Sequence, residues 1–244
     1  VNTGATLTVD GTLIAAATLT NSGSTNINGT LQINSGGSYT GANGPLYGPA
    51  SLLRYNTGGV FGRGNEFFCS GGLGCPNNIQ ISNNTELNVP NGAIFANGQV
   101  QGNLTIDAGS AMSMDYGSIG QNQVVEVYKD VILNGTLSLG DAAGGDLHVR
   151  GNWTKDAAAI FNPNSRAVIF NGGTDQTITG ETTFGNLVVN KSTGSLLLAN
   201  NASCTNGLTL TSGKIVLGAN DLSLLNNFPS ALSASSSSSY VVTN

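Results

Sequence analysis

The residues able to do chemistry are few and far apart: among 244 residues there are 13 Asp and Glu, 8 Lys and Arg and one His. That histidine, His148, sits between Leu147 and Val149, so a strand there turns the imidazole outward. It reads as having no carboxylate partner, and an imidazole without one is a surface group before it is a general base. Asp141 and Asp146 flank Ala-Ala-Gly-Gly, which could begin a calcium turn. Calcium wants about six to eight oxygen ligands, so a solvated turn is the expectation. Cys69 and Cys75 enclose Ser-Gly-Gly-Leu-Gly, a spacer flexible enough for the sulfurs to meet, and a local disulfide is expected there rather than a metal site. Cys204 stands 20 residues before the inward Leu224, in the place of a core residue, and reads as a buried free thiol. No catalytic residue, cofactor site or metal ligand is assigned, no cofactor is expected, and the chain reads as non-enzymatic.

Aromatic residues gather between residues 40 and 80, where Tyr47, Tyr55, Phe61, Phe67 and Phe68 stand near Arg54, Arg63 and Glu66. Two uses are open. The aromatics could pack this stretch onto the body of the protein, or Tyr47, Tyr55 and Phe61 with Arg54, Arg63 and Glu66 could form a stacking platform for a glycan in a carbohydrate-binding module or lyase-like β-helix using residues 47–68.

The elements that must position these residues are written in a ladder. Leu147/Val149, Val168/Phe170, Leu187/Val189 and Leu208/Leu210 are apolar pairs two apart, at spacings of 21, 19 and 21, and Leu104/Ile106 and Val125/Val127 precede them at 21 and 22. A pair two apart faces one side of a strand, and a period near 21 returns the chain to the same place once per coil. Leu208/Leu210, Ile215/Leu217 and Leu222/Leu224 follow at seven-residue steps, which predicts about three short strands per coil of roughly 20 residues. The fold class predicted is all-β, a parallel β-helix (β-solenoid) over residues 1–225. A long loop excursion at 40–80 and a Ser-rich linker or start of a further segment at 226–244, with the run Ser235 to Ser239, complete the organisation. Corner pairs such as Asn134-Gly135 and Asn206-Gly207 suit bends that need positive φ.

Along the main ladder the outward positions read Thr105, Glu126, His148, Ile169, Val188 and Thr209. Ile169 and Val188, with Leu197 and Val216 on the next side, are apolar and outward, so a cover is expected, either the excursion folded back or a second copy. Thr-Leu-Thr at 6–8, 18–20 and 209–211 raises ice binding, but the mixed outward row supplies no flat threonine array.

Charged residues are 9% of the chain and the net charge is −5, while Gly, Asn, Ser and Thr make up nearly half. Nucleic acid, whose binding rests on Lys and Arg neutralising phosphates, is not an expected partner. No stretch approaches the roughly 20 apolar residues of a membrane span. Val1 begins in mid-pattern, so the chain is expected to be a piece of a longer protein.

The segments Gly145-Asp-Leu-His-Val-Arg-Gly-Asn-Trp153-Thr, Phe161-Asn-Pro-Asn-Ser-Arg-Ala-Val-Ile-Phe170 and Phe184-Gly-Asn-Leu-Val-Val-Asn190 resemble repeats of large cell-surface, adhesin-like proteins exported by the type IX secretion system of Bacteroidota. Tyr55-Asn-Thr-Gly-Gly-Val-Phe-Gly-Arg63-Gly and Cys75-Pro76-Asn-Asn-Ile79 are similar to another block of that family, and the resemblance covers about residues 50–244. It implies an extracellular or cell-surface location and a structural or adhesive role, and it brings no catalytic motif. The partners expected are a second copy of the chain in a homo-oligomer or filament, adjoining segments of a longer chain, and glycans. Self-association would use the coil ends at Leu7, Val9, Leu222 and Leu224 and the outward apolar residues Ile169, Val188, Leu197 and Val216.

Overall fold

The computed structural model describes residues 1–92, 95, 98–117, 120–234 and 238–243. Short strands with apolar residues at every second position cannot bury that face alone, so each pairs in parallel with the strand one coil before and one coil after. Strands Thr6–Val9, Thr12–Ala15 and Thr18–Asn21 form the first coil and pair with Ser24–Ile27, Thr30–Asn34 and Ser38–Gly41 of the second. The result is a β-solenoid of about 10 turns with ~22 residues per coil and almost no helix. At the strand spacing of about 4.8 Å per coil, the rod is about 50 Å long.

The core is a set of rows parallel to the rod axis. On one side Leu31, Leu53, Ile79, Leu104, Val131, Trp153 and Ile178 pair in succession, and each is at most 1% exposed. Burying one such aliphatic side chain contributes about 1.5–3 kcal/mol, so the row, repeated on each side, supplies the main cohesion. Trp153 anchors an aromatic cluster, edge-on to Phe161 at 5.0 Å and 5.6 Å from Phe184, and its indole N–H donates to Thr182 Oγ1 at 3.1 Å.

A second ladder runs along one corner. Asn103 N–H donates to Asn78 Oδ1 (2.9 Å), Asp130 N–H to Asn103 Oδ1 (3.1 Å), Asn152 N–H to Asp130 Oδ1 (2.7 Å) and Thr177 N–H to Asn152 Oδ1 (2.9 Å). Each side-chain oxygen satisfies a backbone donor that the turn leaves without a strand partner. Glycine precedes two of these residues because the coils nearly touch: a Cβ on Gly102 would lie 2.5 Å from Asn78 Oδ1, and one on Gly151 2.4 Å from Asp130 Oδ1. The same reason holds at Asn134-Gly135, where a Cβ on Gly135 would meet Ser110 O at 2.2 Å. That corner needs glycine for closeness rather than for positive φ; positive φ falls instead at other glycines, such as Gly213 (86°), and at residues such as Asn83 (56°) and Asn84 (54°).

Three expectations are corrected. Leu104/Ile106 belong to a different side from Val125/Val127; they pair with Val131/Leu133, and the rung before Val125/Val127 is Gly98/Val100. Partner residues are 27 apart here (Leu104 with Val131), against 21 for Leu147 with Val168, so a fixed period slips by one side. Thr105 accordingly faces Ile132, not Glu126. The excursion is shorter than 40–80, because Leu46–Tyr47, Leu52–Asn56 and Val60–Gly62 are coil strands and only residues 63–77 leave the helix. The ending keeps to the coil: Leu232–Ala234 and Tyr240–Val242 both pair with the long strand Ala202–Val216, whereas Ser235 to Ser237 lie outside the described residues. Thr6–Thr8 and Thr18–Thr20 fall in different sheets.

Candidate functional site

Residues 63–77 carry the densest polar chemistry. A single 3₁₀ turn, Asn65–Phe67, pushes Glu66 into the rod, where it is 0% exposed. Tyr55 O–H (3.0 Å) and Gly64 N–H (2.7 Å) donate to Glu66 Oε1, and Tyr47 O–H donates to the Glu66 carbonyl at 2.9 Å. Burial raises the Glu66 carboxyl above the ordinary carboxylate range, against the pull of those donors. Burial, then the Glu66 charge, pushes the Tyr55 phenol well above its usual value. Arg63 is 7% exposed, its guanidinium 3.8 Å from the Phe95 ring centre and 5.4 Å from that of Phe68, and burial lowers its basicity.

Tyr55, Arg63 and Glu66 are therefore enclosed, which corrects their expected place on an exposed glycan platform. The two-residue alternation explains it: Tyr55 follows Leu53 onto the inner face, and Phe61 packs against it at 5.5 Å. Arg54 points outward between them, reaching Gln80 Oε1 at 2.9 Å and Gln32 Oε1 at 3.3 Å on the coils either side. Cys69 and Cys75 are bonded to each other, with Cα atoms 4.4 Å apart, and the bridge holds the tip of the excursion.

The outward row holds a second cluster, whose members stand on successive coils. In-register pairing places His148 beside Glu126, a carboxylate partner 22 residues earlier, and Nδ1 lies 3.5 Å from Oε1. This corrects the reading of His148 as lacking one. Arg150 Nη2 lies 3.7 Å from Glu126 Oε2, its guanidinium stacks 4.1 Å from the Tyr128 ring centre, and Asn171 Nδ2 is 3.5 Å from His148 Nδ1. The coil period was the signal that could have found this set.

Ile169 continues the row and is 9% exposed, covered largely by His148 and Val188 stacked on either side rather than by the excursion. Residues 63–77 lie between the third and fourth coils and Ile169 in the eighth, too far along the axis to meet. Val188, Leu197 and Val216 are half-buried in the same kind of stack, and Leu7, Val9, Leu222 and Leu224 face inward in the end coils, also half-buried.

Lys191 and Asp146 fasten structure. Lys191, 2% exposed, donates to Gly172 O (2.9 Å), Thr174 O (2.8 Å) and Gln176 Oε1 (2.7 Å), and burial pushes its amine down to about 8. Asp146 Oδ1 accepts the Ala167 N–H at 2.7 Å, a use within the fold. Cys204 is 1% exposed, stacked between Phe184 and Leu224, its thiol raised by burial to about 11. No protein-family model, curated protein or solved structure matches the chain.

Proposed function

We propose that this chain is an extracellular structural and adhesive element, a stiff β-helical rod of a cell-surface protein whose units join end to end or side by side into a filament. The observation that carries the reading is the corner ladder from Asn78 to Thr177, which ties successive coils by side-chain-to-backbone bonds beside the parallel strand pairing. Force along the rod axis is then shared between three sides and a corner, an arrangement suited to carrying load rather than to moving. The strand edges of the first coil, and the exposed Leu225, Phe228, Leu232 and Tyr240 of the last, are surfaces onto which a further coil stacks, from the same polypeptide or from another copy. A surface in which charged residues are 9% of the chain limits repulsion between neighbours. Electron microscopy of native surface material tests this. Rods or fibres with an axial repeat of about 50 Å are expected; compact particles with no axial repeat would overturn it.

A further inference from the structure

The tip of the excursion does not lie flat on the rod. It arches over the corner at residues 42–46 and leaves a cleft of ≈ 170 Å³ walled by Asn43, Asn65, Phe68, Ser70 and Leu73. A second lobe of ≈ 140 Å³ adjoins it, sharing Asn43, Gly44 and Leu73 and adding Thr25, Asn26 and Leu46. Each lobe alone is smaller than the roughly 300–1,000 Å³ of a drug-sized pocket, and together they reach its lower end.

The walls are fixed before anything binds. The Cys69–Cys75 bridge closes the tip, and Ser70 and Leu73 exchange backbone hydrogen bonds at 3.0 Å in both directions. Gly74 N–H reaches Pro45 O at 2.7 Å, and the Asn65 amide donates to Gly41 O at 2.5 Å, so both banks are tied to each other. Phe68 is half-buried, its ring held by Arg63 at 5.4 Å and Phe95 at 6.2 Å, which leaves a positioned aromatic surface at the cleft. Rigid walls lose little freedom on binding.

The lining chemistry selects the ligand. None of the residues named as lining either lobe is charged; they offer amides and hydroxyls beside an aromatic ring and two leucines. A carboxylate, sulfate or phosphate would find no counter-charge, while a neutral sugar matches the mixture, hydroxyls on the Asn, Ser and Thr groups and its C–H face on Phe68. We propose that this cleft binds neutral saccharide units of a surface glycan, one ring in each lobe. On the adhesive reading above, the adhesive part of the rod is then at this cleft.

The test uses the whole chain on an array of neutral and acidic glycans, beside the variant Asn43→Trp. Asn43 is exposed, so the indole fills the mouth without entering the core. Binding to neutral glycans is expected, weakened at least tenfold by Asn43→Trp while the melting transition stays in place. A milder probe is Ser70→Ala, which is expected to weaken the same glycans several-fold. No neutral ligand at millimolar concentration, a preference for acidic glycans, or binding indifferent to Asn43→Trp would each overturn the proposal. The axial repeat in the microscope is read separately, so the rod stands or falls independently of the cleft.

Discussion

The side-chain oxygen of Asn103 lies 3.1 Å from the backbone nitrogen of Asp130, the residue that stacks on it one coil further along. Asn103 in turn donates its own backbone N–H to Asn78 Oδ1, so each inner member of the corner both gives and receives. Replacing Asn103 by Ala removes one acceptor and leaves the Asp130 N–H to water. A loss of about 1 kcal/mol is expected. Asn152→Ala should cost a similar amount, and the double variant should depart from the sum, because Asp130 bonds to both, through its N–H to Asn103 and its Oδ1 to the Asn152 N–H. Urea titrations check this; unchanged midpoints would show that the corner ladder adds nothing to the sheets.

Glu66 makes stability depend on pH in a direction that can be stated. Its folded carboxyl titrates above the ordinary range, so between the two values the folded form keeps a proton that the unfolded chain has released. Stability from this group is present below the ordinary carboxylate range, about pH 4.3, and falls as pH rises through the folded value. Glu66→Gln keeps an acceptor for Tyr55 O–H and Gly64 N–H but carries no charge. The variant should gain on the parent from about pH 4.3 up to the folded value and hold that gain above it. Denaturant midpoints across that range measure the gap, and a constant gap would contradict it.

Trp153 is 0% exposed and touches Phe161 and Phe184. Trp153→Ala is expected to cost about 3–5 kcal/mol through the cavity it leaves. Trp153→Phe should cost less but still forfeit the bond to Thr182 Oγ1. Calorimetric melting orders the three proteins.

Reduction of Cys69–Cys75 should loosen the excursion and spare the rod. The bridge spans a sequence separation of only 6, and its loop lies outside the coil pairing. Hydrogen exchange is expected to quicken at residues 68–75 on reduction while Ile79, Leu104 and Val131 keep their protection; loss of protection in all of them would mean that the bridge supports the coils.

The sequence by itself determined the solenoid, because apolar pairs two apart at a period near 21 can be buried together only if the chain coils and stacks. It also placed Cys204 in the core and brought Cys69 near Cys75, since both are local or periodic properties. Coil length was not fixed in that way. The 27-residue step from Leu104 to Val131 differs from its neighbours by turn residues that no hydrophobic pattern records, and so the side to which Leu104 belongs was decided by pairing in three dimensions. The meeting of Glu126 with His148 was legible in the outward row, where they stand on successive rungs. The burial of Glu66 was not, because it depends on a 3₁₀ turn folding a carboxyl inward against its own solvation preference. The cleft beside Phe68 was beyond the reach of sequence altogether, because its two banks, residues 42–46 and 65–73, come together only when the excursion arches back over a corner that the coil has already made.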